Sequence, residues 1–179
     1  LEETEYDNIP FDVIDCPEHN ALSLEAAEKS MVLLKNRAFL PLDKHRVKSI
    51  AVIGPNADSR AALYGNYQGT ASRYVTFLEG IEDAFGGRVY YAEGCHLYKD
   101  RVEGLALPAD RISEAVAAAK NADVSVLCLG LDASLEGEEG DAGNAYASGD
   151  KTDLRLPEPQ RLLLKSVLDV GKPVVVVLA

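Results

Sequence analysis

Four short apolar runs mark the chain, and within each run the apolar residues are continuous rather than alternating with polar ones. The runs span residues 49–54, 88–92, 124–129 and 174–178. Continuous runs of this length are typical of parallel β-strands that are buried on both faces of a sheet. The pattern therefore predicts four strands in a mostly parallel sheet.

A helix is predicted ahead of the first strand, over residues 22–35. Its apolar residues recur every three or four positions, as on the buried face of a helix: Leu24, Ala27, Met31 and Leu34. On this pattern we expect Met31 to be a core residue. Residues 1–20 show no such periodicity, so they are expected to form an irregular linker segment.

Three further helices are predicted between the strands. Thr76 and Glu79 have the spacing of a capping box, in which each side chain accepts a hydrogen bond from the other residue's backbone N–H. Asp110 is expected to cap the next helix, and Gly171 to end the last one, which begins near residue 157. The apolar residues expected to face inward from these helices are Leu78, Ile81, Phe85, Ile112, Ala115, Val116, Ala119, Leu164, Val167 and Leu168.

This alternation of strands and helices predicts an α/β fold, a mostly parallel sheet flanked by helices. In such sheets, ligands bind at the carboxyl ends of the strands. Two unusual loops, residues 54–70 and 130–157, fall at that edge. We interpret residues 21–179 as the α/β domain, and we expect it to be a fragment because the last apolar run ends the chain.

Composition and charge narrow the classes of ligand. The 179 residues are 47% hydrophobic, and the formal net charge is −11. Nucleic acids and anionic membrane surfaces attract clustered Lys and Arg, so neither is an expected partner. No run approaches the roughly 18 apolar residues of a membrane span. A neutral ligand such as a sugar is compatible with this charge, and so is a cation.

The cysteines and histidines do not suggest a metal site. Cys16, Cys95 and Cys128 lie far apart without CxxC spacing, so they predict neither a disulfide framework nor a zinc site. Cys128 lies inside an apolar run and is expected to be a small core residue. The three histidines are equally scattered, and no metal is expected.

The loop after the third apolar run is rich in carboxylates: Asp132, Glu136, Glu138, Glu139 and Asp141. Like charges so close repel, and burial of one of them would raise its pKa toward the range of a general acid. Two other interpretations remain open. The loop could simply be solvated, or it could bind Ca²⁺, although its spacing is not that of an EF-hand.

The first apolar run ends at Gly54, as in a nucleotide-binding fold. However, Pro55 and Asn56 occupy positions where a second glycine and free backbone N–H groups would hold phosphate. No GxxxxGK[ST] motif occurs either. Nucleotide binding is therefore not favoured.

Several segments along the chain carry a family resemblance. They are residues 27–36 (AEKSMVLLKN), 40–42 (LPL), 50–57 (IAVIGPNA), 65–70 (GNYQGT), 130–132 (GLD), 149–151 (GDK) and 156–160 (LPEPQ). In this order they resemble the second domain of glycoside hydrolase family 3, a family of retaining β-glucosidases and β-xylosidases. The resemblance implies an α/β sandwich domain that supplies a glutamate acid/base.

The resemblance also implies which residues act. Ser134-Leu135-Glu136-Gly137 is similar to the family's Ser-x-Glu-Gly pattern, so Glu136 is the implied acid/base. Glu138 is the alternative, because some members read Glu-x-Glu. The aspartate nucleophile of the family lies on a barrel domain, which this chain does not resemble. Where many members have Asp-Arg, this chain has Asp150-Lys151.

Candidate sugar contacts follow from the same resemblance. The amide of Asn66 can hydrogen-bond sugar hydroxyls, and the ring of Tyr67 can pack on a pyranose face or serve only in packing. Arg73 is a further candidate, and Tyr74 a weaker one. The implied partners are a β-linked glycoside and the barrel domain, with no cofactor. A cytoplasmic or an exported enzyme would fit, and so would a non-catalytic carbohydrate-binding or structural domain.

Overall fold

The computed structural model describes residues 4–65, 67–102, 104, 106–135, 151 and 153–179. The chain forms two compact units, Leu1–Pro41 and Leu42–Ala179. The sequence-based boundary between residues 20 and 21 stays a prediction.

The first unit contains a short 3-10 helix, Phe11–Val13, and helix α1, Pro17–Ser30. The predicted helix is therefore present, but both of its predicted ends are five residues too late. Pro17 is at the start of α1, where its fixed φ favours a helix. The backbone of Met31 is already extended (φ −67°, ψ 130°), and its side chain is 73% exposed. The prediction that Met31 lies in a core is wrong for this chain.

The second unit is built on a four-stranded sheet. Its strands are β1 (Ser49–Ile53), β2 (Arg88–Ala92), β3 (Val124–Leu129) and β4 (Val174–Leu178). They lie in the order β2-β1-β3-β4, and all three pairings are parallel. The predicted α/β fold with a parallel sheet is confirmed, and each strand ends within one residue of its predicted end.

Helices cover both faces of the sheet. Helix α2 (Phe77–Ala84) packs on one face through Leu78, while α3 (Ile112–Asn121) and α4 (Glu158–Leu168) pack on the other. A single 3-10 turn, Ala61–Leu63, is described in the loop between β1 and α2. Burial on both faces explains why the central strands β1 and β3 are continuous apolar runs, whereas the edge strands β2 and β4 are partly exposed.

The sequence predicts side-chain caps at the N-termini of α2 and α3, and the structure shows one of the two. The capping box is confirmed: the Glu79 N–H donates to Thr76 Oγ1 (3.2 Å), and the Thr76 N–H donates to Glu79 Oε2 (2.8 Å). The predicted cap at Asp110 is wrong, because the carboxylate of Asp110 instead accepts a bond from the N–H of Leu107 (3.2 Å). Helix α3 therefore begins without a side-chain cap.

The buried face of α4 also differs from the prediction. Val167 is buried as expected, but Leu168 is 51% exposed. The buried positions are Gln160, Leu163 and Val167, which are three and four residues apart. A polar residue thus occupies the first position of the inward face, and this hid the true register from the apolar pattern.

Cys128 is fully buried in β3, which confirms its predicted place in the core. Burial raises the pKa of its thiol to about 12, so the thiol stays protonated and unreactive at neutral pH. Among the described residues, no helix combines the length and apolar character needed to span a membrane.

Candidate functional site

The strand order places a crevice at the carboxyl edge of the sheet. From β1 the chain crosses to β2 on one side, and then returns past β1 to β3 on the other. The connections after β1 and β3 therefore leave the sheet in different directions. Such a switch point is where open α/β sheets bind ligands.

A glycine is required directly after β1 and directly after β3. Gly54 has φ +125°, and a Cβ there would lie 2.2 Å from the carbonyl oxygen of Cys128. Gly130 has φ +143°, and its Cβ would lie 1.7 Å from the carbonyl oxygen of Ala179. Only glycine accepts this backbone at such close approach, so both loops leave their strands at fixed points.

The turn after β1 is held mainly by backbone bonds. The Ala57 N–H donates to Gly54 O (3.1 Å), and the Asn56 N–H donates to Cys128 O (3.3 Å) in β3. At the start of α2, the Thr76 hydroxyl donates to Asp58 Oδ1 (3.0 Å). The turn is therefore tied both to β3 and to α2.

The backbone N–H of Asn56 is hydrogen-bonded, but its side-chain amide is not bonded to any described residue. It is 1% exposed, yet neither its Nδ2 nor its Oδ1 has a hydrogen-bond partner among the described residues. Buried polar groups are nearly always paired, and an unpaired amide is costly. In the sequence, Asn56 stands out as part of the 50–57 segment and as a residue that does not suit phosphate binding, but neither feature points to a buried unpaired amide.

The first residues of the loop after β3 are firmly held. Asp132 Oδ1 accepts bonds from the Ser134 N–H (2.9 Å) and the Ser134 hydroxyl (2.5 Å). The Leu135 N–H donates to Asp132 O (2.9 Å), and the Leu135 side chain is fully buried. This tight turn fixes the backbone immediately before residue 136.

Gln160, on the first turn of α4, joins this loop to the rest of the sheet edge. Its Oε1 accepts a bond from the Gly130 N–H (2.9 Å). Its Nε2 donates to Gly130 O and to Leu97 O, each at 2.7 Å. In the sequence, Gln160 is visible only as part of the 156–160 segment, although a glutamine at helical spacing from Leu163 and Val167 is a signal of a buried polar contact.

The loops after β1 and β3 border a hollow of about 390 Å³ that is largely open to solvent. Its lining residues come from the loop after β1, the loop after β3 and the end of the chain: Ala62, Leu63, Tyr64, Gly65, Leu131, Asp132, Ala133 and Ala179. The hollow combines apolar wall with the carboxylate of Asp132. It falls within the range of roughly 300–1,000 Å³ that is usual for small-molecule sites.

The loop after β1 places two tyrosines in contact, and one of them lies beside the hollow. The rings of Tyr64 and Tyr74 meet edge to face, with centroids 6.0 Å apart. The guanidinium carbon of Arg60 is 5.9 Å from the centroid of the Tyr74 ring. Of these three residues, Tyr64 is the one that lines the hollow, although the sequence pattern singled out Tyr74 and not Tyr64.

The predicted site residues fall into two groups. Asn66, Glu136 and Glu138 lie outside the described residues. Tyr67 has φ +62° and is 88% exposed, and Arg73 forms an exposed ion pair with Asp83 (3.6 Å). Neither Tyr67 nor Arg73 lines the hollow, so their contact with a sugar stays a prediction.

Charged groups also order the segment ahead of α4. Lys151 Nζ lies 3.3 Å from Asp153 Oδ1 and donates to Arg155 O (2.9 Å). The N–H and guanidinium of Arg155, together with Lys151, lower the pKa of Asp153 to about 2. This carboxylate is ionised at neutral pH and suits a structural role better than that of an acid.

A second hollow, of about 260 Å³, lies beside the loop after β2 and the starts of α3 and α4. Arg111 in its wall pairs with Glu114 (3.1 Å). His96 Nδ1 accepts bonds from the N–H groups of Tyr98 (3.2 Å) and Lys99 (3.1 Å). Burial, followed by the charge of Lys99, lowers the pKa of His96, so its ring is neutral and orders the loop.

The described residues contain no group of three His, Cys, Asp or Glu side chains placed to hold a metal ion.

Comparisons with known proteins agree on one family. Residues 31–179 match the model of the glycosyl hydrolase family 3 C-terminal domain. The chain is 41% identical over 175 residues to a probable β-D-xylosidase 7 from Arabidopsis thaliana, which covers 97% of this chain and 21% of that protein.

Solved structures give the same result. A GH3 exo-β-xylosidase in complex with a xylobiose aziridine probe is 32% identical, with a TM-score of 0.80, over 97% of this chain and 20% of that one. A β-glucosidase from Erythrobacter marinus is 34% identical, with a TM-score of 0.78, over 93% of this chain and 24% of that one. The chain thus spans about a fifth to a quarter of the length of these proteins.

Proposed function

Because this chain belongs to glycosyl hydrolase family 3, matching its C-terminal domain, we propose that it is the acid/base-bearing domain of a retaining β-glycosidase. The observation that carries the proposal is the loop after β3. It leaves the sheet at the switch point, borders the hollow and is pinned at Leu135, directly before the Glu136-Gly137 of the family pattern.

Glu136 is the proposed acid/base, with Glu138 as the alternative. In a retaining glycosidase the acid protonates the leaving oxygen, and its carboxylate then takes a proton from the incoming water. The attacking carboxyl group must lie about 5–5.5 Å from the acid/base, across the scissile bond. We propose that a barrel domain supplies that aspartate, as the family resemblance implies.

The proposed substrates are terminal β-linked xylosides or glucosides. The similar proteins include both β-xylosidases and β-glucosidases. A neutral sugar also suits a chain with a formal net charge of −11. Asn66, Tyr67 and Arg73 are the proposed sugar contacts, and Tyr64 joins them because it lines the hollow.

The domain organisation is part of the proposal. Residues 1–20 would form the end of the link from the barrel domain, and residues 21–179 the α/β domain. A chain of these residues alone should then show no turnover of aryl glycosides, because it lacks the nucleophile. Efficient hydrolysis by the purified chain would contradict this arrangement.

The decisive experiment uses the enzyme that carries this chain. Glu136→Gln and Glu138→Gln are compared with wild type on aryl β-xylosides and β-glucosides that have good and poor leaving groups, with and without azide. The acid/base variant should lose most activity on poor leaving groups, keep more on good ones and be rescued by azide. Glu139→Gln, a charge change in the same loop, serves as the matched control.

The two glutamates give distinct outcomes. If only Glu138→Gln behaves as an acid/base variant, the alternative assignment is correct. If both variants act like wild type, the chain is a non-catalytic carbohydrate-binding or structural domain. The better of the two sugar series identifies the substrate.

A further inference from the structure

The side chain of Gln160 hydrogen-bonds to the backbone of Gly130, at a position where no neighbouring strand pairs with that residue. The odd-numbered residues of β3 bond toward β4, as when the Ala179 N–H donates to Leu129 O (2.9 Å). The same pattern continues just beyond β3, where the Leu131 N–H donates to Ala179 O (3.1 Å). Gly130 therefore turns its N–H and carbonyl toward the β1 side, where β1 has already ended at Ile53. Both groups are taken instead by the one amide of Gln160.

We propose that Gln160 is a positioning residue, which sets where the acid/base loop begins by fixing Gly130 against the loop after β2. This inference rests on the proposed function of Glu136. Four residues separate Gly130 from Leu135, and the turn at Asp132 already constrains them. A shift of the backbone at Gly130 would therefore reach Leu135, the residue directly before Glu136 in the sequence.

The third bond of Gln160 makes the support rigid. Its Nε2 donates to Leu97 O (2.7 Å), and Leu97 follows His96, whose Nδ1 accepts two backbone N–H groups. One fully buried side chain thus joins α4, the loop after β2 and the loop after β3.

The chemistry of the position calls for an amide. Three backbone groups must be satisfied, which takes one acceptor and two donors, and a glutamine side chain supplies all of them. A glutamate could still accept from Gly130, but it could not donate to both carbonyls. A methionine has the same shape and would leave all three groups unpaired in a buried place.

The test uses Gln160→Met and Gln160→Glu in the enzyme that carries this chain. Val167→Ala is the matched control, because Val167 is buried on the same helix two turns further on. Aryl glycosides with poor leaving groups depend on a well-placed acid, and small misplacements are costly in such steps. We expect kcat on poor leaving groups to fall about tenfold or more in both Gln160 variants. KM and the rate on good leaving groups should change much less.

Hydrogen exchange supplies a readout that is independent of activity. In the Gln160 variants, the peptide covering residues 129–135 should exchange its amide hydrogens faster than in wild type, while in Val167→Ala it should not. If Gln160→Met fails to fold, the kinetics and hydrogen exchange of Gln160→Glu still test the positioning role, because glutamate keeps the shape of the side chain and one of the three bonds.

The outcomes separate this inference from the proposed function. If Glu136→Gln or Glu138→Gln behaves as an acid/base variant and the Gln160 variants keep wild-type leaving-group dependence, the inference is overturned. If both glutamate variants act like wild type, the proposed function fails and the positioning role falls with it. Exchange of residues 129–135 would then report only whether Gln160 holds the backbone.

Discussion

Gln160 and Asn56 carry the same chemical group and are buried at the same edge of the sheet, but their surroundings differ completely. The amide of Gln160 makes three hydrogen bonds to backbone groups. The amide of Asn56 makes none to the described residues, although the Asn56 backbone N–H bonds to Cys128 O. Comparing the two residues therefore separates the free-energy cost of burying an amide from the stabilisation that its hydrogen bonds provide.

The difference lies in how each loop leaves its strand. After β3, Gly130 presents two backbone groups that no strand can reach, and Gln160 satisfies both. After β1, the backbone forms its own turn from Gly54 to Ala57, so it does not require a side-chain amide. Replacement by an apolar side chain should therefore have opposite effects at the two positions.

The largest effect is expected for Gln160→Met. The substitution leaves the N–H and carbonyl of Gly130 and the carbonyl of Leu97 unpaired in a buried place, and each such group costs about 1–3 kcal/mol. We expect the free energy of unfolding to fall by about 3 kcal/mol or more. Urea unfolding measures this change.

Exposed Gln68 provides the control for that comparison. Gln68→Met makes the same chemical change at the surface, and its effect should stay within about 0.5 kcal/mol. Equal effects of the two substitutions would mean that the three bonds of Gln160 contribute nothing to stability.

A smaller effect of opposite sign is expected for Asn56→Leu. The substitution removes an amide that has no described partner and keeps the branched shape of the side chain, so no unpaired polar group remains buried there. We expect the free energy of unfolding to rise by about 1 kcal/mol. Ser125→Ala is a companion, since the Ser125 hydroxyl is also buried and unpaired among the described residues.

If Asn56→Leu lowers the free energy of unfolding, the contrast between Asn56 and Gln160 does not hold. It would mean that Asn56 bonds to a group outside the described residues, as Gln160 bonds to the backbone. Measuring the substitution both in this chain alone and in a longer protein that carries it would show whether that group belongs to this chain.

The contrast between the two amides also shows what sequence reasoning can reach. Continuous apolar runs located all four strands, and the Thr76–Glu79 spacing located a helix start, because these signals are local. Gln160 escaped because its partners are backbone atoms of residues 97 and 130, which no side-chain pattern encodes. Its polar character also shifted the apparent inward face of α4 toward Leu168.

Other errors have the same physical origin. The apolar run after Ser30 continued the helical spacing of α1, yet the backbone becomes extended at Met31. At the candidate site, the order of residues indicated the loop after β3 but not the hollow, which depends on how two loops approach each other. The position of Tyr64 beside the hollow could be found only there, since nothing in its sequence neighbourhood distinguishes it from Tyr67.

The smallest expected effect concerns the loop that Gln160 holds through Leu97, and it depends on pH. Burial and Lys99 lower the pKa of His96 in the folded protein, while Asp132 opposes the shift. Between the two pKa values the unfolded chain therefore binds more protons, so stability is complete above the unfolded value of about 6.5 and falls as the pH drops below it. Protonation of Nδ1 would also remove the acceptor for the N–H groups of Tyr98 and Lys99.

Urea unfolding between pH 5 and pH 8 measures this dependence in wild type and in His96→Gln. The variant keeps an acceptor for the two N–H groups but cannot titrate, so its stability should fall less toward low pH. His45→Gln, at an exposed position, should keep the wild-type slope. If His96→Gln also keeps that slope, the loop that receives Gln160's third bond does not depend on a neutral His96. The support for Gly130 would then be insensitive to pH in this range, because the amide of Gln160 does not titrate.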